Sequence, residues 1–535
     1  MHIEVQLCCV SRKGIKIFVN KLIIKYYSIL LTLIILVKMS NNISLTEILT
    51  EVFEHLEPHE LHSCIFVNRQ WCKISIPILW RSPFHECNLL RNKWRSLNLL
   101  ARTCLLCLGD NKRELLMNES IPLPSVPSGQ QPIFDYPSLF RVINIEIICT
   151  MSDAWVISNK GKCTRSEYCK KVLRKTLIEH LLERAEMIHF INLDEFNIKP
   201  IINKNALNLR RLKKIRFSSP TTDRKNSSID NVSTFSENVS IFSTLINNLQ
   251  HIIVENHKQH GSFIEYESDT KALAELVRNQ GSLKCLEISG YYMNISSIFE
   301  SLKGKTTTLT KLSLNRVDLN FISQNAINSW ISCVNLKSLE IQNCKIVEEI
   351  YFNSGQQIFP NLKKLVFVNH VAKFPINFII QIIKSTNKNL EFIKFELDHL
   401  TSVNQLSLIN TAIHHCPNLV HLNVDELLNS QLIQILDSFR KLRELKFDTS
   451  NEFDNNTFIE FAKHISQTLK YLYINVDYYP FPDTFRMFIN NLNDDVNLKV
   501  LHISNGAEEL RNECREILEK HGIISTRIHS YQPFL

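Results

Sequence analysis

The chain has 535 residues, 44% hydrophobic and 21% charged, enough for several domains or one extended repeat array. Its 11 glycines form neither a GxGxxG nor a GxxxxGKS/T pattern, which argues against a loop that cradles nucleotide phosphates. Of the net charge of +8, residues 1–38 supply a surplus of five (six Lys/Arg against one Glu), leaving +3 over the other 497 residues, a scattered surplus that gives no support to a nucleic-acid partner.

Residues 1–38 read as a hydrophobic and basic extension. Tyr26–Val37 is a run of twelve residues without charge, short of the roughly 20 that a bilayer span needs. It has the length of a signal-peptide core but lacks small residues at a cleavage position. Three readings stay open: an extension ahead of a native start at Met39, a membrane anchor using residues 22–37, and a cleaved signal.

Residues 39–84 predict a three-helix module. Ser44-Leu-Thr-Glu47 has the form of a capping box, in which serine and glutamate satisfy early helical N–H groups. Leu45, Ile48, Leu49, Val52, Phe53 and Leu56 then recur at helical spacing and form one apolar face. Pro58 can open a second helix, where its missing N–H costs nothing, and Leu61, Cys64, Ile65 and Val67 continue the apolar pattern. Asn68 suits the cap of a third helix carrying Trp71 and Ile74, with Pro77 expected to break the run before Leu79 and Trp80. A module this small buries little surface alone and needs a neighbour.

The order of these residues resembles the F-box family. The resemblance lies in a leading Leu45, a Phe53 before Leu56, Leu56-x-Pro58-x-x-Leu61, Val67-x-x-x-Trp71 and a closing Leu79-Trp80. It covers about residues 44–82, under a tenth of the chain. The family's opening Leu-Pro is Leu45-Thr46 here, and in the family that proline packs on the adaptor. The resemblance implies docking on the Skp-type adaptor, and through it the cullin, of a ubiquitin ligase. The positions it carries over are Leu45, Ile48, Leu49, Val52, Phe53, Leu56, Pro58, Leu61, Val67, Trp71 and Trp80.

Residues 85–180 read as a helical and proline-rich linker region. A helix-like stretch over 86–117 precedes IPLPSVPSGQQPIFDYP, whose five prolines at 122, 124, 127, 132 and 137 exclude regular helix or central strand. The 15 cysteines are dispersed and odd in number, the usage of a reduced cytosolic or nuclear protein. Cys104-x-x-Cys107 has no second pair to complete a zinc site, and the side chains of His414-His415-Cys416 diverge. No metal or cofactor is expected.

From about residue 181 to the C-terminus one hexapeptide recurs, Leu-x-x-Leu-x-Leu with Ile, Val or Phe as substitutes. It starts at 212, 249, 283, 309, 336, 362, 390, 419, 442, 469 and 498. From 283 onward the spacing is 23–29 residues, the period of leucine-rich repeats. Each unit supplies one strand and a returning amphipathic segment, such as PINFIIQIIKS (375–385) and NTFIEFAKHIS (456–466). None can bury its apolar face alone, so neighbours must stack. The expected fold is α+β overall: the helical module followed by a curved α/β solenoid with parallel strands on its concave face. Asn precedes the leading Leu at 335, 361, 389, 418 and 497, and CPNL (416–419) looks like the repeat opening common in F-box leucine-rich-repeat proteins. The polar stretch 218–240 reads as a surface loop, and NECREILEKHGIISTRI as a terminal helix, Gly522 stop and strand.

Between the buried positions, two side chains per strand face outward. Towards the C-terminus these are Phe392 and Lys394, His421 and Asn423, Glu444 and Lys446, Tyr471 and Tyr473, and Val500 and His502. Mixed aromatic and charged groups suit recognition of a protein, so these are candidate substrate-binding residues. No spaced acid pair or nucleophile–base set stands out, and no catalytic residue is assigned. The combined expectation is a substrate receptor of a Skp–cullin–F-box ubiquitin ligase, cytoplasmic or nuclear, with an unidentified protein substrate. The alternative is a leucine-rich-repeat scaffold that assembles no ligase, possible also in a membrane-tethered form.

Overall fold

A computed structural model describes residues 45–83, 93–125, 132–159, 165–193, 201–202, 207–218, 235–256, 263–290, 295–320, 322–346, 357–369, 375–397, 401–449, 455–475, 481–492, 495–504 and 508–524. The extension 1–38, Ser44 of the expected capping box, most of the polar stretch 218–240 and the last residues of the expected C-terminal strand lie outside them. These residues divide into two compact units, one ending at Phe217 and the other running on from Thr234. Among the described residues no helix is long and apolar enough to cross a membrane.

The first unit begins with α1 (Leu45–Glu54), α2 (Pro58–Cys64) and α3 (Arg69–Leu79). Pro58 occupies the first turn of α2 and Asn68 caps α3, its Oδ1 accepting from Trp71 N at 2.8 Å. Pro77 does not end α3, contrary to the expected break. It removes a single N–H donor, and the Trp80 N–H closes the last turn on the Ile76 carbonyl at 3.0 Å. Then follow α4 (Lys93–Leu106), α5 (Asp110–Asn118), the short α6 (Tyr136–Leu139), strand β1 (Val142–Asn144), α7 (Ile145–Ser158), α8 (Ser166–Arg184) and strands β2 (Phe190–Leu193) and β3 (Lys214–Ser218). β1, β2 and β3 pair in parallel, in chain order.

The strand array therefore starts before residue 181, inside the segment expected to be a linker. Phe140-x-x-Ile143-x-Ile145 and Ile188-x-x-Ile191-x-Leu193 are the same hexapeptide with other apolar residues in the leucine positions, and all six side chains are buried. Helices α7 and α8 are apolar enough to pack around them, with Met151, Leu173, Leu177 and Leu181 fully buried.

Among the described residues the second unit carries ten parallel strands, again paired in chain order. They are β4 (His251–Asn256), β5 (Cys285–Gly290), β6 (Lys311–Asn315), β7 (Ser338–Gln342), β8 (Lys364–Asn369), β9 (Phe392–Leu397), β10 (His421–Leu427), β11 (Glu444–Thr449), β12 (Tyr471–Asn475) and β13 (Val500–Ser504). Each of the eleven recurrent hexapeptides forms one strand, from β3 to β13, and all its apolar positions are buried. Leu336, Leu339 and Ile341 of β7 are typical. Burying one such side chain stabilises by about 1.5–3 kcal/mol, so the array rests on repetition rather than on any one contact. The expected return segments form helices Ile376–Ser385 and Asn455–His464. Trp330, fully buried on helix Gln324–Ile331, packs its ring within 4.9 Å of Phe299 and 5.8 Å of both Phe359 and Phe378.

Four of the asparagines ahead of the leading leucines satisfy backbone carbonyls of the preceding repeat. Asn335 Nδ2 donates to Thr307 O at 2.8 Å, Asn361 to Val334 O at 3.0 Å, Asn389 to Pro360 O at 2.9 Å and Asn418 to Lys388 O at 3.0 Å. Thr468 takes the same position with its hydroxyl, donating to Arg440 O at 3.1 Å. At the C-terminal end, Gly522 has a φ of 73° and stops helix Glu508–Lys520, after which Ile524 bridges to Val500.

Candidate functional site: the helical module and one face of the sheet

The core of the helical module consists of Leu49, Val52, Phe53 and Leu56 from α1 and its end, Leu61 and Cys64 from α2, and Ile74 from α3. Trp71, Ile78 and Leu79 pack against it. Phe53 is fully buried and meets the Trp71 ring edge-on, 4.9 Å between centroids. Burial, with a smaller contribution from Glu60, pushes the Cys64 thiol up to about 12, so it serves as an apolar core residue.

This placement sorts the residues nominated for adaptor contact. Ile48, Leu49, Val52, Phe53, Leu56 and Leu61 are buried, so their work is to hold the module together. Leu45 opens α1, but its side chain lies outside the described residues. Pro58, Val67, Trp71 and Trp80 are half-buried. The Trp80 ring has a partner in its own chain, lying 4.3 Å from Tyr136 and 6.1 Å from Phe140. Beside it, the Arg81 carbonyl accepts from Arg141 N at 2.9 Å and Val142 N at 3.1 Å, and the Arg81 guanidinium pairs with Glu54 at 2.9 Å. The closing Leu-Trp of the module thus joins it to the first strand.

The half-buried run Ile65-Phe66-Val67 between α2 and α3 was nominated only at Val67. Its signal was visible in the sequence. Three apolar residues in succession at a helix end cannot all point inward. Thr46, standing where the family has proline, accepts a hydrogen bond from Gln70 Nε2 at 3.2 Å and its carbonyl accepts from Thr50 Oγ1 at 2.7 Å. It ties the first turn of α1 to α3.

On the sheet of the second unit, strand register brings the nominated substrate residues into two rows. Phe392, His421, Glu444, Tyr471 and Val500 stand side by side across β9 to β13, and Lys394, Asn423, Lys446, Tyr473 and His502 form the next row. Val500 is buried and the others are half-buried. His421 Nδ1 lies 3.0 Å from Glu444 Oε2, the Phe392 and His421 rings are 5.8 Å apart, and Lys364 Nζ sits 5.2 Å from the Phe392 centroid. The Tyr473 phenol is pushed up in pKa by burial, then by Glu444 and Tyr471.

Glu396, two residues beyond the nominated Lys394, was missed and is the hub of this face. Its carboxylate takes Lys394 at 2.9 Å, Lys446 at 3.7 Å and Asn423 Nδ2 at 3.4 Å. Inspection of the hexapeptide alone could not find it, because β9 continues past the motif to Leu397. The face is a self-paired mixture of rings and charges, suited to binding by shape and hydrogen bonds. Among the described residues, no three or more His, Cys, Asp or Glu side chains group to hold a metal ion.

No curated protein matches this chain. Residues 46–86 match the family described as F-box-like, and the chain carries an F-box-like domain there.

Proposed function

We propose that this chain is the substrate-recognition subunit of a Skp–cullin–F-box ubiquitin ligase, with leucine-rich repeats forming its strand array. The F-box-like domain over a folded three-helix module is the observation that carries this reading. The half-buried residues Pro58, Ile65, Phe66, Val67 and Trp71 dock the Skp-type adaptor, and the adaptor brings the cullin. The rows from Phe392 to His502 hold the target protein. No chemistry is assigned to this chain. It acts by proximity, holding a target lysine near a conjugating enzyme borne by other subunits.

The regular 23–29-residue period supports the repeat reading, together with one strand per hexapeptide and the asparagine bonds between units. Co-purification of the tagged full chain from cells tests the function. Recovery of a Skp-type adaptor together with a cullin is the expected result, and recovery of neither would sink the ligase reading.

Thr46 favours a second reading, an interaction scaffold outside any ligase, because its hydroxyl is engaged by Gln70 where the family presents proline. A Thr46→Pro variant separates the two. If adaptor binding appears only in the variant, the natural chain is a scaffold.

A further inference from the structure

The strand ladder defines one recurrent position: the residue just after the leading apolar residue, whose carbonyl accepts two successive N–H groups from the next strand's segment. In the first unit Arg81 O accepts from Arg141 and Val142, Arg141 O from His189 at 2.8 Å and Phe190 at 3.2 Å, and His189 O from Lys213 at 2.9 Å and Lys214 at 3.0 Å. Arg81, Arg141, His189 and Lys213 therefore stand one strand spacing apart, roughly 4.8 Å, along one edge. His189 and Lys213 are exposed, Arg81 and Arg141 half-buried, and exposed Arg211 lies beside the row.

The second unit repeats the bias at the same position. Lys284, Lys337, Lys363, Arg443, Lys470 and Lys499 occupy it, with one acid, Glu391, which pairs with Lys363 at 2.7 Å. Among the described residues, nine of the fourteen residues that follow a leading apolar residue are Lys or Arg, and twelve of the fourteen carbonyls accept two N–H groups. Since only 61 of 535 residues in the chain are Lys or Arg, the surplus that looks scattered along the sequence is ordered by the fold.

In the first unit this charge is poorly compensated. Glu54 pairs with Arg81, while Arg141, Arg211 and Lys213 make no ion pair among the described residues. The Arg141 guanidinium is fixed by the carbonyls of Ser138 at 3.1 Å and Phe140 at 3.2 Å, which leaves its charge unneutralised. Burial and then Arg81 lower its pKa against a smaller opposing effect of Glu186. His189 is held down by burial, then by Lys213, Arg141, Arg211 and Arg81. His189 thus sits within the electrostatic reach of all four cationic side chains of this edge.

We infer that the row Arg81, Arg141, His189 and Lys213, with Arg211, is a docking edge for a protein segment carrying clustered negative charge, as carboxylates or phosphorylated side chains. A nucleic-acid strand fits less well, because base stacking needs open ring faces. Lys214 Nζ covers the Phe190 ring at 5.1 Å, and Trp80 packs on Tyr136 and Phe140. The inference goes beyond the ligase reading and does not depend on adaptor binding.

Fluorescence anisotropy of the full chain tests it with four labelled probes: a Glu-rich octapeptide, the same peptide with phosphoserines for glutamates, a serine control, and an oligothymidylate of equal charge. Both acidic peptides bind and the serine control does not. Affinity falls about tenfold between about 50 and about 300 mM salt, as screening of an exposed row requires. The double variant Arg211→Gln/Lys213→Gln changes two exposed side chains. It weakens acidic-peptide binding at least about fivefold, with the melting curve unchanged. Absence of acidic-peptide binding at low salt overturns the inference, as does tighter binding of the oligothymidylate. So does a loss confined to Lys470→Gln/Lys499→Gln in the second unit. Adaptor capture measured on the same samples is a separate readout, so failure of one proposal is distinguished from failure of the other.

Discussion

The helical module and the strand array use their motif residues in opposite ways. In the module, the apolar residues that spell out the family pattern are mostly core: Val52, Phe53, Leu56 and Leu61 are buried. In the array, the motif leucines are core as well, but the residues between them make the surface, as in the rows from Phe392 and Lys394 to His502. A residue pattern read from apolar spacing therefore locates what holds an element together. The surface offered to a partner has to be found in what the pattern leaves over.

The largest effect separating the two regions is expected for Phe53→Ala, which removes a fully buried ring from a core of only a few side chains. It costs about 3–5 kcal/mol, and hydrogen exchange should show α1 to α3 opening while the strands of the second unit stay protected. Equal loss of protection in β9 to β13 would break the comparison, since a stacked array depends mainly on nearest neighbours.

A second test uses pH. His180 of α8 is buried, its Nε2 has no hydrogen-bond partner among the described residues, and burial followed by Lys112 and Arg184 lowers its pKa from 6.5 to about 4. The folded state thus holds the ring neutral, and this contribution is complete above pH 6.5 and lost as pH falls toward 4. The linkage amounts to about 3 kcal/mol over that window. His180→Phe should flatten the pH dependence of first-unit unfolding between those limits, and an unchanged slope would show that the ring is solvated in the folded state.

Trp80→Ala sharpens the comparison at the junction. The ring is half-buried on Tyr136 and Phe140, so the loss is about 2 kcal/mol. It should leave the helicity of the module intact while exposing the β1 amides to exchange. Adaptor affinity that falls with β1 still protected would instead give this ring to the adaptor. Trp71→Ala, whose ring meets Phe53, should unfold the module itself. The smallest effect is expected for Asn361→Ala, which removes one bond to Val334 O. Its cost is about 1 kcal/mol, detectable as a modest shift in melting of the second unit.

Much of this was legible in the sequence, for identifiable reasons. Leucine spacing gave β3 to β13 because burial on one side of a strand leaves a strict pattern. The first two strands escaped because Phe140, Ile143 and Ile145, like Ile188, Ile191 and Leu193, meet the same packing demand with little leucine. Asn68 was readable as a cap because the bond it makes is local. Glu396 was not readable because β9 runs two residues past the hexapeptide, and the basic edge begins at Arg81, Arg141 and His189, ahead of the leucine-spaced strands. The helix break expected at Pro77 failed because one lost donor near a helix end is outweighed by the bonds that continue around it.

Under the proposed function, the half-buried residues of the F-box-like module, and not its apolar core, meet the adaptor. The most direct test is the affinity of a purified Skp-type adaptor for the full chain and for the Phe66→Glu/Val67→Glu variant, with helicity and melting followed in parallel. The natural chain should bind and the variant should lose at least about tenfold in affinity, with the fold unchanged. No binding by the natural chain, or equal binding by both, would contradict this assignment.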